Sequence, residues 1–225
     1  MGVKGVCLVK AFMSYQTADK AVAARIAALL KSMSIDAFMA HEDIDVSHQW
    51  RAELLRQLKL ADVFIAILSA NYLTSAWCVQ ESGIAAFREL TIIALSTDGT
   101  IPPGFLGEFQ GIRIDPGAPT LKSLLPGLAN RNVVFTIDKL VEKFGHSGSY
   151  RTAEDNFVLL EPFLDRASKK QKVSLLTLSA HNSQIFDAGG CHIYLPPIVK
   201  THGKFMRPED LAKLRQEFSK YNIQL

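Results

Sequence analysis

The run DVFIAIL at residues 62–68 constrains the fold more than any other segment. After its aspartate every residue is apolar, and no polar residue alternates with the apolar ones. A strand with one face in water alternates apolar and polar residues, whereas a central strand of a parallel sheet is covered on both faces. The run therefore predicts a strand in the middle of a parallel sheet.

Strand-like and helix-like segments alternate around this run. The strand candidates are residues 6–15, 35–40, 62–68, 90–96 and 111–114, and the helix candidates are residues 18–33, 50–60 and a segment that begins near Ser75. Thr74 or Ser75 is available to cap the last of these helices. In the helix at 50–60, the predicted inner face consists of Trp50, Leu54, Leu55 and Leu58. Regular alternation needs crossover connections, so the predicted fold class is a doubly wound α/β sandwich.

The alternation ends beyond about residue 127. We expect a first domain at residues 1–130 and a small, mainly helical extension at residues 131–225. Residues 133–145 fit one helix or a strand followed by a helix, and Pro162 is expected to kink or split its helix. Near the end, Leu211, Leu214 and Phe218 share a helical face. Because the extension carries no catalytic pattern, we expect it to dock or oligomerise.

The composition argues against several function classes. The 25 basic and 22 acidic residues give a net charge of only +3, and the densest basic run, KKQK at residues 169–172, is typical of a solvated helix end. We therefore expect no nucleic-acid partner. No membrane partner is expected either, because no run approaches the ~18 apolar residues of a membrane span. Cys7, Cys78 and Cys191 form neither a disulfide framework nor a zinc pattern, which favours a cytoplasmic location and no metal.

Familiar catalytic motifs are also missing from the sequence. No G-x-G-x-x-G follows the first strand and no Walker A motif occurs, which argues against a glycine-rich phosphate loop. GHSGSY at residues 145–150 misses the G-x-S-x-G pattern, so Ser147 and Ser149 are predicted to be turn residues. His181, His192 and His202 lack metal-ligand spacing and are predicted to be structural or surface residues.

Four segments, in their order and spacing, resemble a TIR (Toll/interleukin-1 receptor) domain of the bacterial kind. They are KAFMSY at 10–15, HEDIDVSHQW at 41–50, ADVFIAILSANYLTSAWCVQE at 61–81 and GEFQGIRID at 107–115. The resemblance covers about residues 4–130 and implies a flavodoxin-like, five-stranded parallel sheet. Some TIR domains are scaffolds, and others cleave NAD with a glutamate that matches Glu81. The chain is similar to the NAD-cleaving TIR proteins of antiphage defence systems such as Thoeris.

A physical argument also points to Glu81. On a helix, Trp77 and Glu81 lie on one face about a turn apart, and a helix that starts after the carboxyl end of a central strand faces the ligand crevice of an open α/β sheet. Loss of nicotinamide from NAD leaves an oxocarbenium-like ribosyl centre, which a fixed carboxylate stabilises. Because the cationic nicotinamide departs neutral, no general acid is needed.

The resemblance implies roles for further residues. Glu81 is the expected catalytic residue, and NAD is a substrate, so no cofactor is expected. The expected substrate-binding residues are Phe12, Ser14, Tyr15, Asp43, Trp50 and Trp77. The first three would line the mouth of the sheet, with Phe12 partly in the core, and Asp43 and Trp50 belong to the loop that resembles the family's gate. Trp77 either stacks on nicotinamide or anchors packing.

Two departures from the family pattern affect this transfer. Ser47 stands in the gate loop where the family often has glycine. The residues after Tyr15 are QTAD, and not the basic residues that some active members carry. Phosphate recognition is therefore left without an obvious partner.

The leading hypothesis is an NAD glycohydrolase or ADP-ribosyl cyclase of antiphage defence, which releases nicotinamide and either ADP-ribose or a cyclic isomer. Its expected partners are other copies of the chain, through TIR–TIR contacts, and a downstream effector protein that senses the product. The alternative is a non-enzymatic adaptor or a mimic that binds host TIR domains. A nucleoside 2-deoxyribosyltransferase-like enzyme would share the sheet and a glutamate but lack the SAWCVQE spacing.

Overall fold

The structure, a computed structural model, describes residues 9–39 and 50–225. They form two compact units, of which the first ends at Arg131 and the second spans Asn132–Leu225. The boundary falls within the helical segment Leu125–Gly145, at Asn132, whose backbone angles (φ −155°, ψ 91°) are not helical. The second unit is helical, as the sequence predicts.

The first unit contains a parallel sheet, with five strands in the described part of the chain. They are β1 (Lys10–Ser14), β2 (Asp36–Met39), β3 (Val63–Leu68), β4 (Thr91–Ser96) and β5 (Ile112–Arg113). Their spatial order is β2-β1-β3-β4-β5, and each neighbouring pair is parallel. Every residue of β3 is buried. The predictions of a doubly wound α/β fold and of a central strand at residues 62–68 are confirmed.

Helices cover both faces of this sheet. In the described part of the chain, the α-helices of the first unit before β5 are α1 (Lys20–Lys31), α2 (Trp50–Leu60), α3 (Ala70–Thr74) and α4 (Ala76–Phe87). Helices α2 and α4 both pack against β1, and Leu58 and Cys78 join the same buried cluster as Phe12 and Phe64. On the opposite face, Gly127 at the start of α5 (Leu125–Gly145) lies against Ile93 of β4.

The inner face of α2 differs from the prediction at one residue. Leu54 and Leu58 are buried, but Leu55 is 42% exposed. Leu54 and Leu58 are one turn apart, whereas Leu55 is rotated by about 100° around the helix. The contact surface of α2 is therefore narrower than the apolar pattern suggested.

The second unit consists of the rest of α5 and five further helices in the described chain. They are α6 (Tyr150–Leu160), α7 (Lys169–Ala180), α8 (Ser183–Phe186), α9 (Gly189–His202) and α10 (Pro208–Ser219). Residues 133–145 are helical, which decides the alternative left open by the sequence. Helix α6 ends before Pro162, which lies in the 3-10 segment Glu161–Arg166, as expected. Leu214 and Phe218 are buried in α10, and Leu211 is half-buried.

Local contacts in this unit account for several residues that the sequence singled out. Ser147 Oγ donates to the Phe144 carbonyl at 2.7 Å, and Ser149 Oγ caps α6 by accepting from Thr152 N at 3.1 Å. Both are turn residues, as predicted. His181 Nε2 lies 2.8 Å from Oδ1 of the buried Asp210, which gives this histidine a structural contact. No helix in the described ranges is both long and apolar enough to cross a membrane.

Candidate functional site

The strand order places a ligand crevice between β1 and β3. In sheets of this order, chain connections leave in opposite directions from these two strands, and ligands bind at their carboxyl ends. Ser14 ends β1, and Ser69 directly follows β3. Glu81 of α4 reaches this point, because its carboxylate contacts Ser14. The glutamate therefore lies at the topological switch point of the sheet.

The Glu81 side chain is closed off from solvent. It is only 1% exposed, and its Oε2 accepts a hydrogen bond from Ser14 Oγ at 2.5 Å. Among the residues that the structure describes, Oε1 has no hydrogen-bond partner, although it is buried. A buried polar atom without a partner is uncommon in folded proteins and is often associated with a functional site. The unpaired Oε1 is thus the atom of this site that most needs a ligand.

Burial also changes the acidity of Glu81. Removal of the carboxylate from water raises its pKa from 4.5 to about 7, and the hydrogen bond from Ser14 opposes this rise. No cation is among the causes of the shift. At neutral pH, Glu81 is therefore ionised in a fraction of the molecules. Its negative charge then lies in a low-dielectric environment, where it acts strongly on a nearby cation.

A series of buried hydroxyl groups continues from Ser14 away from Glu81. Ser14 Oγ lies 3.0 Å from Tyr72 Oη, which lies 2.8 Å from Ser82 Oγ. Ser82 Oγ also donates to the Cys78 carbonyl at 2.8 Å. Neither Tyr72 nor Ser82 was among the expected site residues, although Tyr72 lies within the segment at 61–81 that carries the family resemblance.

Two helix caps fix the backbone that carries these groups. Ser69 Oγ caps α3 by accepting from Tyr72 N at 3.2 Å, and it donates to Asp19 Oδ2 at 2.6 Å. Ser75 Oγ caps α4 by accepting from Cys78 N at 3.3 Å. The sequence left Thr74 and Ser75 as alternatives, and Ser75 is the cap. Such caps stabilise a helix start by about 1 kcal/mol each, so the positions of Tyr72 and Glu81 are well defined.

The profile of the TIR domain family matches residues 11–124. This is half of the chain, and it contains the sheet except for Lys10, together with the Glu81, Ser14 and Tyr72 contacts. The chain belongs to the TIR domain family. Searches of the curated proteins and of the solved structures found no match.

The TIR fold places Trp77 and Trp50 in contact. Their rings meet edge to face, with centroids 4.2 Å apart. Trp50 packs against the core cluster, whereas Trp77 is 39% exposed. Trp77 lies four residues before Glu81 on α4, so both side chains are on the same side of the helix. In this pair, the Trp50 ring is packed against the core and the Trp77 ring faces solvent. Trp77 lies one helical turn before Glu81.

Other expected site residues of the TIR domain are less accessible than the sequence suggested. Phe12 is fully buried, and the parallel register aligns it with Phe38 and Phe64, whose ring centroids lie 5.3 and 5.8 Å from its own. It belongs wholly to the core. Tyr15 is also fully buried. The expectation that these two residues line an open mouth is therefore not met, because the strand end is covered by packing.

Asp43, an expected substrate-binding residue, lies outside the described residues, as do Ser47 of the gate loop and Cys7. Of the expected site residues, the structure thus brings Ser14 and Glu81 into direct contact and pairs Trp50 with Trp77.

The nearby Cys78 does not extend the chemistry of the TIR site. Burial raises the pKa of its thiol to about 11, so the thiol keeps its proton at neutral pH. Its side chain acts as an apolar core group. Glu81, with a pKa of about 7, changes its charge near neutral pH, whereas Cys78 does not.

Proposed function

We propose that this TIR domain cleaves the bond between nicotinamide and ribose in NAD, with Glu81 as the catalytic carboxylate. The observation that carries the proposal is the buried Glu81 at the switch point, with Oε2 held by Ser14 and Oε1 unpaired. TIR domains include NAD-cleaving enzymes and act through assembly with other TIR domains. The proposal assigns this chain to the NAD-cleaving group.

The chemistry needs one negative charge. As the glycosidic bond breaks, its electron pair leaves with nicotinamide, which becomes neutral, and positive charge develops on the ribosyl carbon and ring oxygen. A carboxylate in a water-poor site stabilises this charge, and Oε1 is free to accept a hydrogen bond from a ribose hydroxyl. Capture of the cation by water gives ADP-ribose and a proton. Capture by a group of the same ADP-ribose gives a cyclic isomer.

Substrate must reach a carboxylate that is closed off. We propose that the Trp50–Trp77 pair opens for NAD and that Trp77, as the more exposed ring, stacks on nicotinamide. A mobile aromatic cover would also exclude water from the reacting centre after binding. The product would act as a signal in antiphage defence, with a downstream effector protein as its receiver.

The test is nicotinamide release from NAD by the purified full-length chain, at high protein concentration and with or without a crowding agent. The wild type is compared with Glu81→Gln and with Glu161→Gln, which changes an exposed glutamate of the second unit. We expect release by the wild type and by Glu161→Gln, and loss of at least about a hundredfold in Glu81→Gln. Equal, negligible release from all three proteins would overturn the proposal. Chromatography of the adenine product distinguishes hydrolysis from cyclisation.

A second candidate function, a non-enzymatic adaptor, is favoured by a different observation. A cavity of about 680 Å³ on the first unit is lined by Phe105 and Phe87, which are 76% and 89% exposed. Exposed aromatic side chains around a cavity are typical of protein-binding surfaces. As an adaptor, the chain would use this surface to bind another TIR domain. Light scattering of Phe105→Ser would then show a smaller assembly than the wild type, and an unchanged mass would argue against it.

A further inference from the structure

The buried hydroxyl groups behind Glu81 form a continuous chain. It runs from Ser82 to Tyr72, Ser14 and Glu81, with oxygen–oxygen distances of 2.8, 3.0 and 2.5 Å. All four residues are at most 5% exposed. Inside a protein, hydrogen bonds in such a chain polarise one another. The effect of these hydrogen bonds on Glu81 therefore depends on which hydroxyl donates in each of them.

Counting protons gives the direction when Glu81 is ionised. The carboxylate has no proton, so the proton between it and Ser14 belongs to Ser14. Ser14 Oγ then has only lone pairs for Tyr72, so the contact between them requires Tyr72 to donate. With the Tyr72 proton used, the single proton of Ser82 is shared between Tyr72 Oη and the Cys78 carbonyl, each 2.8 Å from Ser82 Oγ. The hydroxyl dipoles of Ser14 and Tyr72 then point toward Glu81, and that of Ser82 does so only in part.

We propose that Tyr72 is a positioning residue for the catalytic carboxylate and acts on it through Ser14. This inference rests on the proposed function of Glu81. The series of hydrogen-bonded hydroxyl groups occupies Oε2 of Glu81 and stabilises its negative charge. Oε1 is thereby left as the oxygen for the substrate ribose. Tyr72 itself touches neither the carboxylate nor the substrate.

The acidity of Tyr72 is consistent with this role. Burial raises the pKa of its phenol above the ordinary value of 10, so it keeps its proton over the working pH range. The helix cap at Ser69 holds the Tyr72 backbone, and the fully buried side chain is packed on all sides, so the phenol oxygen has little freedom to leave Ser14. A Phe at position 72 would keep the ring packing and remove only the donor. The same donor would then be missing from Ser14, which would become a weaker donor to Glu81.

The predicted consequence is a change in the titration of Glu81. Loss of one buried donor in the chain should raise the pKa of Glu81 by about one unit in Tyr72→Phe, because hydrogen bonds stabilise the charged form. At pH 7 the ionised fraction would then fall about fivefold, and kcat/KM would fall with it. At pH 9 most of the carboxylate is ionised again, so kcat/KM should return to within about twofold of the wild type. A purely structural defect would not be rescued by pH.

The experiment combines a titration with kinetics on the full chain. Infrared difference spectroscopy follows the protonated-carboxyl band of Glu81, assigned by its loss in Glu81→Gln, in wild type and Tyr72→Phe. Tyr150→Phe, which changes an exposed tyrosine, is the matched control. Ser82→Ala is the second variant, and because Ser82 shares its proton between Tyr72 and the Cys78 carbonyl, a smaller shift in the same direction is expected. Circular dichroism confirms that each variant is folded.

The outcomes separate this proposal from the proposed function. An unchanged Glu81 titration in folded Tyr72→Phe and Ser82→Ala overturns the positioning role, whatever the enzyme does. If the wild type does not cleave NAD, the proposed function fails, and the positioning role for a catalytic group fails with it, while a shifted titration would still establish the hydrogen-bond chain. If cleavage occurs, a shifted titration with rescue at pH 9 supports both proposals.

Discussion

Replacement of Glu81 by Gln should make the protein more stable at alkaline pH. In the folded state, burial raises the pKa of Glu81 to about 7, whereas an unfolded chain has the ordinary value near 4.5. Between these two values the folded chain holds a proton that the unfolded chain has released. The free energy of unfolding of the wild type therefore decreases as pH rises through this window. A Gln side chain does not ionise and avoids that loss.

The size of the effect follows from the pKa difference. A rise from 4.5 to about 7 corresponds to about 3 kcal/mol, since one pKa unit is about 1.4 kcal/mol. Below pH 4.5, the protonated Glu81 side chain and the amide introduced by Glu81→Gln have nearly the same shape and no charge, so the two proteins should agree in stability within about 1 kcal/mol. Above pH 7, Glu81→Gln should be more stable by about 3 kcal/mol relative to that starting difference. This corresponds to a shift in melting temperature of roughly 10 °C for the first unit.

Urea denaturation at pH 4.5, 6, 7 and 8, followed by circular dichroism, measures this difference. Glu89→Gln, which changes an exposed glutamate after the same helix, is the control and should follow the wild type at every pH. The reasoning would be refuted if the wild type and Glu81→Gln gave parallel curves of stability against pH. Such a result would mean that the buried carboxylate is not destabilised by its surroundings.

Three further changes test other parts of the structure. Trp77→Ala should raise KM for NAD several-fold through loss of the exposed stacking ring, and an unchanged KM in steady-state kinetics would remove Trp77 from the substrate site. Asp210→Ala should destabilise the second unit by about 1 kcal/mol, because it removes the hydrogen bonds that the buried carboxylate accepts from the exposed side chains of His181 and Arg207, and the urea midpoint measures this. Gly127→Ala would bring a Cβ within 2.4 Å of Ile93, and a cost of about 1–3 kcal/mol is expected. In the matched control Gly83→Ala, the new Cβ meets no atom within 4 Å, and a gain of up to about 1 kcal/mol is expected in the same urea assay.

Much of the fold could be predicted because its signals are local. The all-apolar run of β3 reports burial on both faces, and each neighbouring strand and long helix has its own pattern. Helix α3 was missed because five residues are too few to show a helical period, and its start is set by the Ser69 cap. Leu55 was misplaced because a broad apolar stripe does not show which part of it touches the sheet.

The candidate site could be predicted only in part. The spacing of Trp77 and Glu81 on one helix is a local property, but position alone fits a solvated charge on a helix face equally well, and it was the resemblance to TIR domains that identified the glutamate. The burial of this glutamate depends on residues that are distant in the sequence. Ser14 lies 67 residues before Glu81, and Tyr72, which contacts Ser14, lies 58 residues after Ser14. Contacts over such separations are set by strand order and packing. No pattern in a single segment could therefore show that the carboxylate is enclosed.

The most direct test of the proposed catalytic role of Glu81 is the pH dependence of kcat/KM for nicotinamide release by the full-length chain. This constant reports the ionisation of the free enzyme. We expect it to rise about tenfold per pH unit below pH 7 and to level off above, in line with a Glu81 pKa of about 7. A constant value from pH 5 to 9, or a Glu81→Gln protein as active as the wild type, would contradict a catalytic carboxylate at this position.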